Sequence, residues 1–509
     1  MQLKKLYIKD YKILKDFTIE FPFDFKKYIS VFIGVNGSGK STILEAIAQI
    51  FSSTLLQENA RFGFELVYSI RHSEMLEKTS TTSAFHTEYL WVTLKADKEG
   101  DVIKAVVDSA EGSNFYSGDI TEKKKMVVVD ASGSRKEIKT YSVLPDNIII
   151  YYSGLSEIMK ELCQPHLDKL SESYRKGNIA NRDFFYFESD HFGIILTSLL
   201  SFEYGEIPEF LKEKAKIVGM QSIQIQLQKP EWAKGKATDF WGAQGEVKNF
   251  LKYLDEDSAS VENLQNPDNS KGIGNIVIEG WQDDVINITI VSQHKLFEIR
   301  EHLVEERKLF EILNIMLADG LLKDIKFSLL KEGEEYQSFG ILSEGEQQAI
   351  IIKGLTELLS KKNSLFLLDE PDTYLHPKWQ RKFISDIENV IESGYEAENS
   401  FVIATHSPQL LSNAKTELNF VKIIEDGALV ENTPRYYGRE INTILYELMG
   451  VEERNKVVRE LISKLFTLIE EEEIEDAENA LKELQELIGH DDPELKRAAI
   501  QIEYLKEDE

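Results

Sequence analysis

The stretch 34-GVNGSGKS-41 decides the fold. It carries the pattern G-x-x-x-x-G-K-[ST] at Gly34, Gly39, Lys40 and Ser41. The flanks agree with it. The apolar run Ile29 to Ile33 reads as a buried strand, and Thr42 to Ala48 as a helix opening behind the loop. Glycine lets the backbone turn tightly enough for successive N–H groups to point at phosphate oxygens, and the helix start adds its positive end. Gly34, Asn36, Gly37, Ser38, Gly39, Lys40, Ser41 and Thr42 are therefore the expected phosphate-binding set. Lys40 is expected to reach the β- and γ-phosphates, and the Ser41 hydroxyl to hold Mg²⁺. The competing reading is an ordinary Gly-rich turn.

Three later motifs decide against that turn. In 365-LFLLDEP-371 four apolar residues make a parallel-type strand that delivers two carboxylates at its end. Asp369 is placed to bind Mg²⁺, and Glu370 to orient the attacking water. A lone acid here would serve as a helix N-cap. In 342-LSEGE-346 a Ser and a Gly precede an apolar helix, which makes a second anion-binding helix start. The same residues, with Glu346 at the third helical position, also write a capping box, and the two readings are compatible. In 402-VIATHSPQLL-411 an apolar strand ends in Thr405-His406; a single His at a strand end is commonly structural.

Taken in this order, the motifs resemble those of ABC-type ATPases in the branch holding RecF, Rad50, structural-maintenance and OLD-type proteins. The stretch 369-DEPDTYLHP-377 has a Leu-His-Pro ending similar to OLD-type ATPases, and 7-YIKDYKILKDFTIEF-21 resembles a RecF-type start of strand, turn and strand. The motif likeness covers about residues 1–50 and 340–415. A weaker likeness, over 439-REINTILYELMGVEERN-455 and the tail beyond, is to PtuA-like ATPases of Septu and retron anti-phage systems, which are encoded beside an HNH nuclease. The resemblance implies an α/β fold, an ABC-type P-loop domain carrying a mixed α/β insertion and a C-terminal helical extension. It implies ATP and Mg²⁺ as cofactors, held in a homodimer or higher oligomer that sandwiches the nucleotide. Ser343 and Gly345, with Glu346 beside them, would then meet the γ-phosphate bound by the other subunit, and His406 would sense it. Two departures stand out. Glu346 occupies a position usually held by glutamine, with Gln347 one place later. The glutamine loop expected after 148-IIIYYSG-154 has no glutamine, and only Ser153 offers itself there.

Composition narrows the class. The chain has 509 residues, 42% of them hydrophobic, enough for two or three folded units with a sizeable core. No apolar run is long enough for a membrane span, and the start leads into a strand instead of a signal peptide, so no membrane partner is expected. A single cysteine, Cys163, fits a reducing cytoplasm and reads as packing. The net charge of −29 argues against a uniformly basic nucleic-acid face. Any nucleic-acid contact would be local or made through a complex. Lys123 to Lys125, Arg135-Lys136 and Lys361-Lys362 are thin candidates that read better as solvated loops.

The expected organisation has four parts. Residues 1–154 form the first ATPase half, 155–340 an inserted lobe, 341–435 the second half, and 436–509 an acidic helical tail. The insertion reads as aromatic-rich loops, 184–202 and 231–245, with helices such as 294–317; Trp232 and Trp241 read as packing rather than base-stacking. It lacks the sustained heptads of long coiled-coil arms. The tail holds 19 acidic and 8 basic residues over 451–509. Its apolar stripes suit a self-packed bundle or a docking surface. No Asp-x-Asp cluster follows His406, so a nuclease within this chain is not expected. The resemblance to PtuA-like ATPases, taken with these features, implies the ATP-hydrolysing sensor of an anti-phage system with its nuclease supplied in trans. The rivals are a DNA-gripping repair ATPase like RecF or Rad50, and a transporter nucleotide-binding subunit.

Overall fold

The computed structural model describes residues 1–22, 27–71, 89–109, 114–119, 125–129, 135–139, 143–154, 157–175, 184–259, 276–280, 284–305, 307–333, 336–338, 342–393, 399–449 and 454–507. These form two compact units, Met1–Thr433 and Pro434–Glu509. Of the basic candidates, Lys123 and Lys124 lie outside the described residues.

The first unit is built on a parallel sheet. Its strands run in the order Phe184–Tyr186, Asn147–Tyr152, Ser364–Asp369, Ser400–Thr405, Ile29–Ile33 and Asn419–Glu425, and Ala428–Leu429 closes the edge antiparallel. Every residue of the strands Ile29–Ile33, Ser364–Asp369 and Ser400–Thr405 is buried, as a sheet covered on both faces requires. The register pairs Thr405 with Ile33 and Asp369 with Ala404. Because the pairing is parallel, the phosphate loop, the two carboxylates and His406 all leave the sheet at its carboxyl edge, where α/β folds bind ligands.

A second sheet faces the first. It is antiparallel, ordered Leu14–Glu20, Gln2–Tyr11, Phe64–Arg71, Tyr89–Ala96, Lys104–Ser109 and Asn114–Asp119. The helix Lys40–Leu56 lies within one apolar core that takes residues from both sheets. Phe51 of this helix meets Tyr68 of the antiparallel sheet edge-on, ring centroids 5.5 Å apart. Burial on nearly every side explains why the helix shows no clean amphipathic stripe. Its buried polar side chains are therefore paired: Gln49 donates to Ser53 Oγ at 3.1 Å, and Glu45 accepts from Lys12 Nζ at 2.6 Å.

The insertion differs from its sequence reading in two places. Residues 184–202, expected as loop, supply the edge strand Phe184–Tyr186 and a buried helix, His191–Leu200. The nucleotide sheet thus continues past the expected break at residue 154. Three apolar residues show no period, and a helix packed all round shows no stripe, so both hid as aromatic-rich sequence. The stretch 294–317 forms two helices, Gln293–His302 and Lys308–Ala318. Between them Val304 takes φ 66°, a backbone state that helix cannot continue through. The lobe's own sheet centres on Ile217–Gln228, flanked by Val285–Ile290 and Leu322–Lys331. Both tryptophans pack as expected: Trp241 is buried, and Trp232 Nε1 donates to the Asp319 carbonyl at 2.8 Å. Cys163 is buried.

The described residues of the second unit form the helices Ile441–Met449, Lys456–Glu470, Ile474–Ile488 and Pro493–Glu507. Ile462, Leu465 and Ile469 join Leu481, Leu484, Leu495 and Ile502 in a core of its own. Gly489, at φ 93°, ends one helix and Pro493 begins the next, the glycine-after, proline-first punctuation expected there. Arg454 bonds both oxygens of Asp492, at 2.8 and 3.0 Å. Among the described residues of the whole chain no helix is long and apolar enough to cross a membrane.

Candidate nucleotide site

The strand Ile29–Ile33 hands directly into the glycine-rich loop. A Cβ on Gly34 would stand 2.3 Å from the Ile424 carbonyl oxygen, so the neighbouring strand leaves room only for glycine. Gly37 and Gly39 take φ 81° and 109°, and the helix opens at Lys40. Lys40 Nζ curls back over the loop and donates to the Gly34 and Val35 carbonyls at 2.8 and 2.9 Å. Burial pulls its pKa down, opposed by the negative charge of Glu370 and Asp369 nearby.

Asp369 ends its strand almost fully buried. Loss of water pushes its carboxyl up to about 6 from an ordinary 3.8, with the like charge of Glu370 adding to this while the Ser41 hydroxyl and the Lys40 and His406 charges oppose it. Asp369 Oδ1 and Ser38 Oγ are buried with no hydrogen-bond partner among the described residues. With Lys40 and the Ser41 hydroxyl that donates to Asp369, these oxygens make a set of hard ligands, and this suits Mg²⁺ and a polyphosphate.

Glu370 occupies the left-handed region at φ 49°. Its N–H donates to the Ala404 carbonyl at 2.8 Å, and its Oε1 lies 3.0 Å from His406 Nδ1. Strain of this kind in a non-glycine residue concentrates at functional sites. Behind the pair, buried Asp372 accepts from Thr405 Oγ1 at 2.9 Å, and Thr405 Oγ1 in turn accepts from the Ser407 N–H at 2.9 Å. Ser153 Oγ stands 3.4 Å from Thr373 Oγ1, so the weakest of the sequence candidates also reaches this loop.

Ser343 caps the helix Glu344–Leu359, with the reciprocal capping box formed by Glu346. The Ser343 N–H and hydroxyl both donate to Glu346 Oε2, at 2.7 and 3.0 Å. A Cβ on Gly345 would lie 2.8 Å from the Tyr374 carbonyl oxygen, so the motif sits hard against the loop that follows Glu370. Ser343 bonds within its own helix start and not to the phosphate loop of the same chain.

The sequence reading did not single out Gln348, which ties these parts together. It is buried, donates to the Pro371 carbonyl and to Tyr151 Oη (3.2 Å), and accepts from the Tyr374 N–H at 2.9 Å. A glutamine thus does brace the Asp-Glu loop, but it comes from the helix Glu344–Leu359 instead of the strand end near Ser153. Asp372 and Thr405 were also missed as partners, though both stand inside motifs quoted for other residues.

Phosphate loop, capped second helix start, Asp-Glu pair and strand-end histidine are thus assembled on one α/β scaffold, a P-loop ATPase fold of the ABC type carrying an inserted lobe and a C-terminal helical extension. Residues 1–411 match the AAA ATPase domain family, and the chain belongs to that family. It is similar to the "Retron Vc95 probable ATPase" of Vibrio cholerae serotype O1 biovar El Tor, 21% identical over 84% of this chain and 74% of that protein. The "Septu protein PtuA" of Bacillus thuringiensis is 28% identical over 33% of this chain, and the match spans 46% of that protein. Among solved structures, the Smc head domain from Pyrococcus furiosus, bound to the C-terminal domain of ScpA, aligns at TM-score 0.33 and 12% identity, over 84% of this chain and 95% of that one.

Proposed function

We propose that the chain is the ATP-hydrolysing sensor-regulator of an anti-phage defence system, working as an ATP-sandwich dimer or higher oligomer with a nuclease supplied by another protein. The observation that carries the chemistry is the Glu370–His406 contact set beside buried Asp369 and Lys40. Likeness to retron and Septu proteins supports the biological setting.

ATP is cleaved by water to ADP and phosphate. Lys40 turns from the Gly34 and Val35 carbonyls to the phosphates, and the loop amides of Asn36 to Thr42 hold the remaining oxygens. Ser41 and Asp369 would hold Mg²⁺, which neutralises charge building on the phosphates. Glu370 orients the attacking water and accepts its proton, and His406 fixes the carboxylate through Nδ1. Ser343 and Gly345, with the Glu346 cap, meet the phosphate held by the other subunit.

The acidic tail, with its own core, is the proposed holder of the nuclease. The test is co-expression with the product of the neighbouring gene, comparing the full chain with one ending near Tyr437. The shortened chain is expected to keep ATPase activity and lose the partner. The pure full-length chain is expected not to cut DNA with Mg²⁺ or Mn²⁺. DNA cleavage by both the pure chain and its Glu370→Gln form would place a nuclease inside residues 155–340 and sink the reading.

A further inference from the structure

Glu346 has one oxygen turned toward Ser343 and the other toward the inserted lobe. Its Oε1 accepts from Lys331 Nζ at 2.8 Å, and the two side chains are only 11% and 14% exposed. Lys331 is the last residue of the strand Leu322–Lys331, the immediate neighbour of the lobe's central strand. We propose that Lys331 is a positioning residue for the second anion site: it neutralises Glu346 and holds that carboxylate so that the Ser343 helix start can receive a phosphate. The proposal rests on the reading that Ser343 meets the nucleotide of another subunit.

The argument is electrostatic. A helix start binds anions through unfilled N–H groups and its partial positive charge. Here a full negative charge hydrogen-bonds the very hydroxyl that must face the phosphate. Two like charges a few ångströms apart at a half-buried site repel strongly. The Lys331 ammonium cancels that repulsion, and its bond to Oε1 leaves Oε2 to complete the cap. Any movement of the inserted lobe that withdraws Lys331 would therefore bare the carboxylate and weaken the site. The lobe thereby gains a direct hold on the nucleotide sandwich without touching ATP.

A double-mutant cycle in the full chain tests this. Two ATP-dependent quantities are read: KM for turnover, and the ATP concentration that half-drives self-association in a Glu370→Gln background, measured by sedimentation. Lys331→Met is expected to raise both at least about tenfold with a smaller effect on kcat. In chains already carrying Glu346→Gln, which can still write the capping box, the same Lys331→Met is expected to change either by less than about twofold. An equal effect with and without Glu346→Gln overturns the proposal. So does a coupling seen only in the melting temperature of the nucleotide-free proteins, since that marks a merely structural ion pair. Ser343→Arg is run alongside. If it leaves turnover and association intact, the sandwich reading falls first and this proposal with it.

Discussion

His406 Nδ1 meets Glu370 Oε1 at 3.0 Å while the Glu370 backbone sits at φ 49°. The carboxylate is aimed by a histidine from the neighbouring strand and by a backbone state that most residues avoid. That combination ties activity and strain to one position.

Glu370→Gln is expected to bind ATP and lose turnover at least about a hundredfold. Glu370→Gly should lose turnover as well, yet melt at or above Glu370→Gln, because the left-handed conformation costs roughly 1–2 kcal/mol for a residue with a side chain. Lys40→Ala should instead weaken ATP binding itself. Steady-state hydrolysis, nucleotide binding and melting curves on these three variants separate the roles. Near-normal hydrolysis by Glu370→Gln would remove it from the chemistry.

Asp369 makes a prediction about pH. Its carboxyl is raised from 3.8 to about 6, chiefly by burial. Between those values the folded chain keeps a proton that the unfolded chain has released, so this group's contribution to stability falls as pH rises through the window. The full cost, on the order of 2–3 kcal/mol, stands above it. Asp369→Asn is expected to melt higher than the parent near neutral pH without nucleotide, with the gap closing toward about pH 4. It should also lose the stabilisation that Mg²⁺ and ATP together give the parent. A lower melting point for Asp369→Asn at neutral pH would mean that the ionised carboxylate is already satisfied within the fold.

The two half-sites can be tested by mixing. Ser343→Arg and Lys40→Ala chains are each expected to be inactive alone. Combined, they can assemble one intact composite site, from the phosphate loop of the first and the Ser343 helix start of the second. Partial recovery of ATPase activity is the expected result. Full activity of Ser343→Arg alone would reduce the motif to the helix cap seen within the chain.

The local motifs were legible because each is a backbone device with its own residue requirements. Gly34 must be glycine under the Ile424 carbonyl, Ser343 must cap, and an apolar strand must end in Asp369. What could not be read are contacts made across the chain. Gln348 reaches Tyr151, and Lys331 reaches Glu346 from the sheet of the inserted lobe; no spacing announces either. The helix His191–Leu200 escaped for the opposite reason. Gly354 of the helix Glu344–Leu359 lies so close that a Cβ there would stand 2.2 Å from Ile195, and a helix enclosed on all sides carries no period to detect.

The strand that feeds the phosphate loop has a consequence for synthesis on the ribosome. Val31 pairs with Ile403 on one side and Val421 on the other, so both neighbours of that strand are translated well after it. At about 5–20 residues per second, this strand waits on the order of twenty seconds to over a minute for its supports. Closing so long a loop is also slow in folding itself. A growing chain therefore carries its phosphate loop long before it can shape it, and nucleotide binding arrives only once the strand Asn419–Glu425 has been made.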